Sequence, residues 1–120
     1  MEELIIIIQI IIALGIFNVW IFRYSKESTW RGGNAKNMKE EFSVYGLPGW
    51  FIGLIGFLKL LLASLLIVSI WFPVLKIPAA IGIAVLMLGA ILMHFKVKDP
   101  LKKSLPAATM FLFCLIVVII

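Results

Sequence analysis

Polar side chains inside otherwise apolar stretches are the residues of this chain that could bind a ligand or a partner. Lys59 lies in the middle of one such stretch, Asn18 near the end of another and His94 at the end of a third. Polar groups are costly in hydrocarbon, so each of the three is a candidate for a functional contact. All six acidic residues lie in the termini or in polar segments, so no carboxylate lies at the depth of Lys59.

Lys59 is the most informative of these candidates. It follows Gly49 by ten residues, which in a helix corresponds to about 15 Å and places it near the centre of a bilayer. It shares a helix face with Gly56 and Ala63, and small residues are typical of faces that pack against other helices. Three interpretations stay open: a structural lysine bonded to backbone carbonyls and Asn18, a contact to a ligand or cofactor, and a contact to a partner subunit.

The remaining candidates lie nearer the polar segments. Glu41 and the glutamate before it are carboxylates that Lys59 reaches if its side chain extends toward the loop. Otherwise Lys59 loses its proton in the apolar bundle or meets an acidic partner. Arg31 precedes two glycines, a pattern that fits a turn binding a phosphate head group or a plain turn with a solvated arginine. His94 is expected to hydrogen-bond lipid head groups, and together with Asn18 and Lys59 it would form one polar pocket open to the cytoplasm.

Few groups in this chain are suited to catalysis or metal binding. Its one cysteine, Cys114, can form neither an internal disulfide nor a redox pair. One histidine and no acidic cluster are too few ligands for a dedicated metal site. We therefore expect no catalytic residue and no metal, and we interpret Cys114 as a small apolar core residue.

The elements that position these residues are four apolar runs at 4–22, 48–72, 77–95 and 104–120. The chain is 63% hydrophobic and 14% charged, which is too apolar for a small soluble domain. Each run comes near the ~20 residues that cross a bilayer. The pattern predicts a single all-α domain, an integral membrane four-helix bundle. The acidic start of the first run indicates a retained helix rather than a cleaved signal peptide.

The polar segment 23–47 carries a short helical pattern. Apolar residues recur at 35, 38, 42 and 45, which places them on one face of a helix. Asn34 is a suitable first cap and Gly46 a suitable end. The spacing predicts a short amphipathic helix between the first and second membrane helices, lying on the membrane surface.

The distribution of basic residues predicts the orientation in the membrane. Nine of the eleven Lys and Arg residues lie in the segments 23–47 and 96–104, and only Lys76 lies on the opposite side. By the positive-inside rule both segments are cytoplasmic and both termini lie outside, in a bacterial inner membrane. Basic residues confined to short loops also argue against nucleic acid as a partner.

From Tyr45 onward the sequence resembles the DoxX-like family of small four-helix bacterial membrane proteins. The positions that carry the resemblance are the Tyr-Gly-Leu-Pro run at 45–48, a glycine-bearing helix with Lys59, then Pro73, Lys76, Gly82, Gly89-Ala90, His94 and Asp99-Pro100. Earlier positions resemble one branch of that family, namely Asn18-Val19-Trp20, Arg23, Arg31-Gly32-Gly33 and Glu40-Glu41-Phe42.

The resemblance implies kinship with a subunit of a thiosulfate:quinone oxidoreductase, with a component of an oxidative-stress complex and, more distantly, with animal chaperones of membrane receptors. One hypothesis is a non-catalytic accessory or assembly subunit that binds another membrane protein, a second copy of itself, membrane lipids or a lipid-like ligand. The alternative is a quinone-binding subunit, with Lys59, Asn18 and His94 as the contacts. A small transporter is least favoured, because no helix interior carries a carboxylate for proton exchange.

Overall fold

The computed structural model describes residues 2–26 and 31–120. It contains five α-helices: α1 (Glu2–Phe17), α2 (Met38–Val44), α3 (Gly49–Val68), α4 (Lys76–Lys96) and α5 (Leu105–Ile119). A π-helical segment, Asn18–Phe22, continues α1, and short 3-10 helices at Pro73–Leu75 and Leu101–Ser104 precede α4 and α5. Within the described residues the secondary structure is entirely helical.

Four helical segments are long and apolar enough to cross a membrane: Glu2–Phe22, Gly49–Val68, Pro73–Lys96 and Leu101–Ile119. Large apolar side chains are exposed on their outer faces, among them Leu14, Phe57, Val85 and Leu112. Such faces need hydrocarbon around them, and helices satisfy their own backbone hydrogen bonds there. The protein is therefore a multi-pass membrane protein, and the predicted all-α membrane bundle is confirmed.

The helices α3 and α4 are separated by a proline-containing turn. The apolar run in the sequence continues to residue 72, whereas α3 ends at Val68 and is followed by hydrogen-bonded turns at 69–72. Phe72 has φ −125° and ψ 79°, because the residue before a proline is displaced from the helical region. Pro73 then begins a 3-10 turn that leads into α4.

The core of the bundle lies where α1 packs against α3 and α5 and where α4 packs against α3 and α5. Its fully buried side chains are small or branched and apolar, including Ile12, Ala13, Leu66, Ala80, Ile83, Cys114 and Val117. Small residues allow helices to approach closely. In a membrane this close packing matters because the hydrophobic effect does not drive helices together in lipid.

The short helix α2 lies between the first two membrane spans, as predicted, and packs its apolar face against the bundle. The predicted apolar face is present, since the side chains at 35, 38, 42 and 45 are all buried. Phe42 meets Trp20 edge to face, with the ring centroids 6.0 Å apart. The helix begins at Met38 rather than near Asn34, because the Asn37 side chain accepts a hydrogen bond from the Glu40 N–H at 2.8 Å.

Candidate functional site

A cavity of about 1530 Å³ lies in the half of the bundle next to the loops, and all four membrane-spanning segments, α2 and the segment after Arg31 form its walls. Asn18, Lys59 and His94 all line it, as do Arg31 and Glu41. The structure thus brings together, in one cavity, all five candidate residues from the sequence.

Lys59 points its ammonium at the ring of Trp20, with Nζ 5.4 Å from the ring centroid. Among the residues that the structure describes, no hydrogen-bond acceptor and no carboxylate pairs with this ammonium. The interpretation as a lysine bonded to carbonyls and Asn18 is therefore wrong, and Glu41 acts on the ammonium through its charge without forming an ion pair with it. A cation–π contact contributes about 0.5–2 kcal/mol, whereas a lysine at the centre of a membrane helix costs about 2.5–3.5 kcal/mol. The ammonium keeps donors to offer to another molecule.

Trp20 is held in place by contacts on several sides. Its indole is 8% exposed and meets the rings of Phe42 and Tyr24 at centroid distances of 6.0 and 6.1 Å. Gly56 provides the space on the α3 side, because a Cβ at this position would lie 2.8 Å from the indole Cζ3. The pairing of positions 20 and 56 is a tertiary contact that no local sequence pattern predicts.

The π-helical turn sets the position of Trp20 on its helix. The Arg23 N–H donates to the Asn18 carbonyl at 2.9 Å, a hydrogen bond that spans five residues. Such a turn contains one residue more than an α-helical turn, and π-turns are frequent at functional sites. The exposed Asn18 side chain lines the cavity beside it and makes no hydrogen bond to any residue that the structure describes.

Arg31 is a buried structural residue, 5% exposed. Its guanidinium donates to the carbonyls of Arg23, Tyr24 and Lys26 at 2.6, 3.2 and 3.0 Å, and it pairs with Glu41 at 3.1 Å. Both expectations from the sequence, a phosphate-binding turn and a solvated arginine, are therefore wrong. The contacts of Arg31 with the carbonyls at 23–26 and with Glu41 of α2 could not be predicted from their spacing in the sequence.

Glu41 holds the same segment from the α2 side. Its carboxylate accepts hydrogen bonds from Arg31, from the Gly32 N–H at 2.9 Å and from the Tyr45 hydroxyl at 2.8 Å. Burial, together with the nearby Glu41 charge, raises the pKa of Tyr45 above its ordinary value. Tyr45 therefore stays protonated and donates, and the Glu41 oxygens are engaged within the protein.

His94 bonds Asp99 and not lipid head groups, contrary to the expectation from the sequence. The side chain is 5% exposed, its Nδ1 lies 2.8 Å from Asp99 Oδ2, and its ring packs edge-on against Tyr45 at 5.9 Å. The sequence could have indicated this pair, because Asp99 follows His94 by five residues, just after the end of α4.

Asp99 fastens the glycine segment to the turn between α4 and α5. It accepts from the Gly33 N–H at 3.1 Å and lies 3.9 Å from the Lys103 ammonium. Burial acts to raise the pKa of this carboxyl, but the hydrogen bonds from His94 and Gly33 and the charge of Lys103 outweigh it and lower the pKa below its usual range. Lys103 in turn donates to the Gly33 carbonyl.

The electrostatics of the cavity are strongly basic. Five basic side chains and one carboxylate line it: Arg23, Arg31, Lys36, Lys59, Lys103 and Glu41. Arg31 pairs with Glu41 and Lys103 with Asp99, whereas Lys59 has only the ring of Trp20 beside it, which leaves its positive charge on otherwise apolar walls. Among the described residues no group of three or more histidine, cysteine or acidic side chains could hold a metal ion. The fold and the site together define a four-span membrane protein with a basic cavity that reaches the middle of the bundle.

The family of the chain follows from comparison with known proteins. The chain belongs to the DoxX-like family, whose model matches residues 8–119, and the resemblance carried by the positions from Tyr45 onward is confirmed. No curated protein and no solved structure matches the chain significantly.

Proposed function

We propose that this protein is a non-catalytic membrane subunit whose cavity binds a lipid-like amphiphile with an acidic head group. The observation that carries the proposal is Lys59, a cation with no acceptor among the described residues, inside a cavity of about 1530 Å³. Ligand cavities commonly measure about 300–1,000 Å³, with mostly apolar walls and few polar groups. This one has room for a head group and part of a chain.

The charge of the cavity favours an acid over a neutral head group. Lys59 lies deep, and Lys36 lines the same cavity, so an anion is attracted into it. A carboxylate or phosphate at Lys59 would accept its free donors and would offset the cost of an unpaired cation in the membrane. Asn18 adds an amide that can donate to the same head group.

The binding role is non-catalytic because the titratable groups of the cavity hold the protein together. His94 is engaged with Asp99, and Glu41 with Arg31, Gly32 and Tyr45. These contacts fasten the segment after Arg31 over the cavity. A binding cavity held in shape by such contacts is enough for an accessory subunit. Such a subunit would present or shield a ligand for a partner membrane protein or for a second copy of itself.

A quinone is the second candidate ligand, as in a subunit of a membrane oxidoreductase of the thiosulfate:quinone type. A quinone carbonyl would accept one hydrogen bond from Lys59, and its ring could lie near the indole of Trp20, over which the Lys59 ammonium is placed. The charge of Lys59 has no counterpart in a neutral quinone, which is why the acidic amphiphile ranks first.

The proposal includes a location and an orientation. The segments 23–47 and 96–104 carry nine basic residues, which favours the cytoplasmic side of a bacterial inner membrane for the cavity mouth and the outside for both termini. An acidic lipid in the inner leaflet would then reach the cavity without crossing the bilayer.

Native mass spectrometry of the protein extracted in mild detergent tests the proposal. We expect an acidic amphiphile to co-purify with the unaltered protein and to be lost from Lys59→Met. The matched control is Lys76→Met, which removes the same charge at the opposite end of the bundle. A quinone lost in the same variant would favour the second candidate. A bound molecule retained equally in all three proteins, or none in any, would contradict both.

A further inference from the structure

The helices α3 and α4 touch in the half of the bundle away from the loops and separate toward the loops. At the contact Leu62 packs on Gly82, where a Cβ would lie 2.9 Å from Leu62 Cδ1. Gly89 lies two turns further along α4 on the same face, and a Cβ there meets no atom of the described residues within 4 Å. The space that Leu62 fills at Gly82 is therefore open at Gly89.

The register of the two helices identifies the residues that border this opening, here called the lateral gap. A short turn joins α3 to α4, and the two helices run antiparallel, so each step back from Leu62 along α3 matches a step forward from Gly82 along α4. The pairs that follow at successive turns are Lys59 with Val85, Ile55 with Gly89 and Phe51 with Met93. All six residues line the cavity that contains the Lys59 ammonium, so the cavity extends into the lateral gap.

The lateral gap opens onto the lipid-facing surface of the protein. An apolar stripe of α4 is 44–63% exposed and faces the hydrocarbon of the bilayer: Ile81, Val85, Leu88 and Leu92. Val85 of this stripe also lines the cavity, so the cavity reaches the lipid-facing surface beside it. Lys59 lies about 15 Å from the loop end of α3 and Val85 about 16 Å from the loop end of α4. The gap is therefore open to hydrocarbon at the level of Lys59.

We propose that the ligand is an acidic membrane lipid that binds through the lateral gap, with its head group at Lys59 and its hydrocarbon chain outside in the bilayer. The proposal rests on the function proposed above and specifies the source of the ligand and its path. The unpaired Lys59 ammonium attracts the acidic head group. Because the gap is open at the level of Lys59, the chain leaves sideways into hydrocarbon and does not pass the polar segments at the loop end.

The apolar border of the gap favours a lipid over a water-soluble acid. Apart from Lys59 the border residues are apolar: Phe51, Ile55, Val85, Gly89 and Met93. A chain that runs between them stays in hydrocarbon when the head group binds, so binding does not require the whole chain to leave the bilayer. A water-soluble acid would reach Lys59 through the polar mouth of the cavity and would make no use of the gap.

The test measures dissociation constants of a C16 carboxylate and a C6 carboxylate for the protein in nanodiscs. Gly89→Leu places a side chain opposite Ile55 and closes the gap, whereas the C6 chain is short enough to stay within the cavity. We therefore expect this variant to weaken C16 binding at least about tenfold and C6 binding less than about twofold. Gly89→Ala should lie between the leucine variant and the unaltered protein, and it serves if the leucine variant folds poorly. The matched control Leu88→Phe adds bulk to the exposed stripe of α4 and should change neither constant.

The failure of this inference is distinguishable from the failure of the proposed function. Equal C16 binding in Gly89→Leu and the unaltered protein, with loss in Lys59→Met, would overturn the lateral gap and leave the function standing. C16 binding unaffected by Lys59→Met would overturn both. An equal loss of C16 and C6 binding in Gly89→Leu would also overturn the inference, because the space beside Gly89 would then belong to an enclosed binding site and not to a path for the chain.

Discussion

The two halves of the bundle treat buried polar groups in opposite ways. In the half away from the loops, Gln9 is 2% exposed and donates to the Leu66 carbonyl and to the Ser69 hydroxyl at 3.2 and 2.7 Å. In the half with the cavity, Lys59 has an aromatic ring beside it and no acceptor among the described residues. In the half without the cavity, here called the closed half, Gln9 joins α1 to the end of α3. In the half with the cavity, here called the open half, the Lys59 ammonium is available to another molecule.

Hydrogen bonds and ion pairs of two carboxylates around the cavity hold the open half in shape. Apolar side chains do not fill this cavity. Glu41 and Asp99 together bind the three consecutive residues Arg31, Gly32 and Gly33. Each carboxylate is supplied by a different element, α2 for one and the turn after α4 for the other. The cavity is therefore maintained by hydrogen bonds and ion pairs, whereas the closed half is maintained by apolar packing.

The largest effect is expected from Asp99→Ala. It leaves the buried His94 without its partner and releases Gly33 and Lys103, and loss of one partner from a buried hydrogen-bonded network costs about 3 kcal/mol. Equilibrium unfolding in mixed micelles should show this decrease. Asp99→Asn, which keeps the size and one acceptor, should lose less, and equal stability of Asp99→Ala and the unaltered protein would show that the open half does not depend on this network.

Lys59→Met should act in the opposite direction. Removal of an unpaired cation from a membrane helix is expected to stabilise the ligand-free protein by about 2 kcal/mol, because no hydrogen bond to a described residue is lost. The same unfolding measurement checks this value, with Lys76→Met as the control. A destabilised Lys59→Met would indicate that Lys59 has a structural partner, and the contrast between the two halves would fail.

Acidification should weaken the open half in a defined range of pH. The folded-state pKa of Asp99 lies below the ordinary value of 3.8, so its contribution to stability is complete above that value and is lost as the pH falls through the folded-state pKa. The difference in stability between the unaltered protein and Asp99→Asn should therefore be constant from pH 7 to about 4 and should shrink below it. A difference that shrinks between pH 7 and 5 would contradict this assignment.

The smallest effect is expected in the closed half, from Gln9→Leu. Interhelical hydrogen bonds in membrane proteins contribute about 0.6 kcal/mol on average, and leucine fills a comparable volume. Unfolding should show a loss of this order, with ligand binding unchanged. A loss as large as that of Asp99→Ala would remove the distinction between a packed half and a half held by ion pairs.

The all-α membrane bundle could be predicted from the sequence, and so could the candidate residues that line the cavity. Hydropathy alone predicts four membrane helices, because length and apolar composition are local properties. The stripe at 35–45 is likewise local, and all of its apolar members are buried. What this stripe packs against is not a local property, and the contact of Phe42 with Trp20 could not be predicted from it.

The roles of the charged candidates depended on partners that are distant in the chain or held in turns. Arg31 and Glu41 looked available for a ligand as isolated residues, but they occupy each other's hydrogen bonds. Asp99 meets Gly33 across 66 positions, and no spacing rule predicts such a pair. Lys59 could be identified as a candidate from sequence because the apolar runs contain no carboxylate at its depth.

The most direct measurement of the central claim compares a C16 carboxylate with its methyl ester, for the unaltered protein and for Lys59→Met in nanodiscs. The ester lacks the negative charge of the head group and adds only one methyl group, so the affinity ratio of the two ligands reports the contact with Lys59. We expect the carboxylate to bind at least about tenfold more tightly than the ester to the unaltered protein, and equally to Lys59→Met, since a charge-assisted hydrogen bond contributes about 1.5–3 kcal/mol. The same ratio in both proteins would contradict the claim that Lys59 receives an acidic head group.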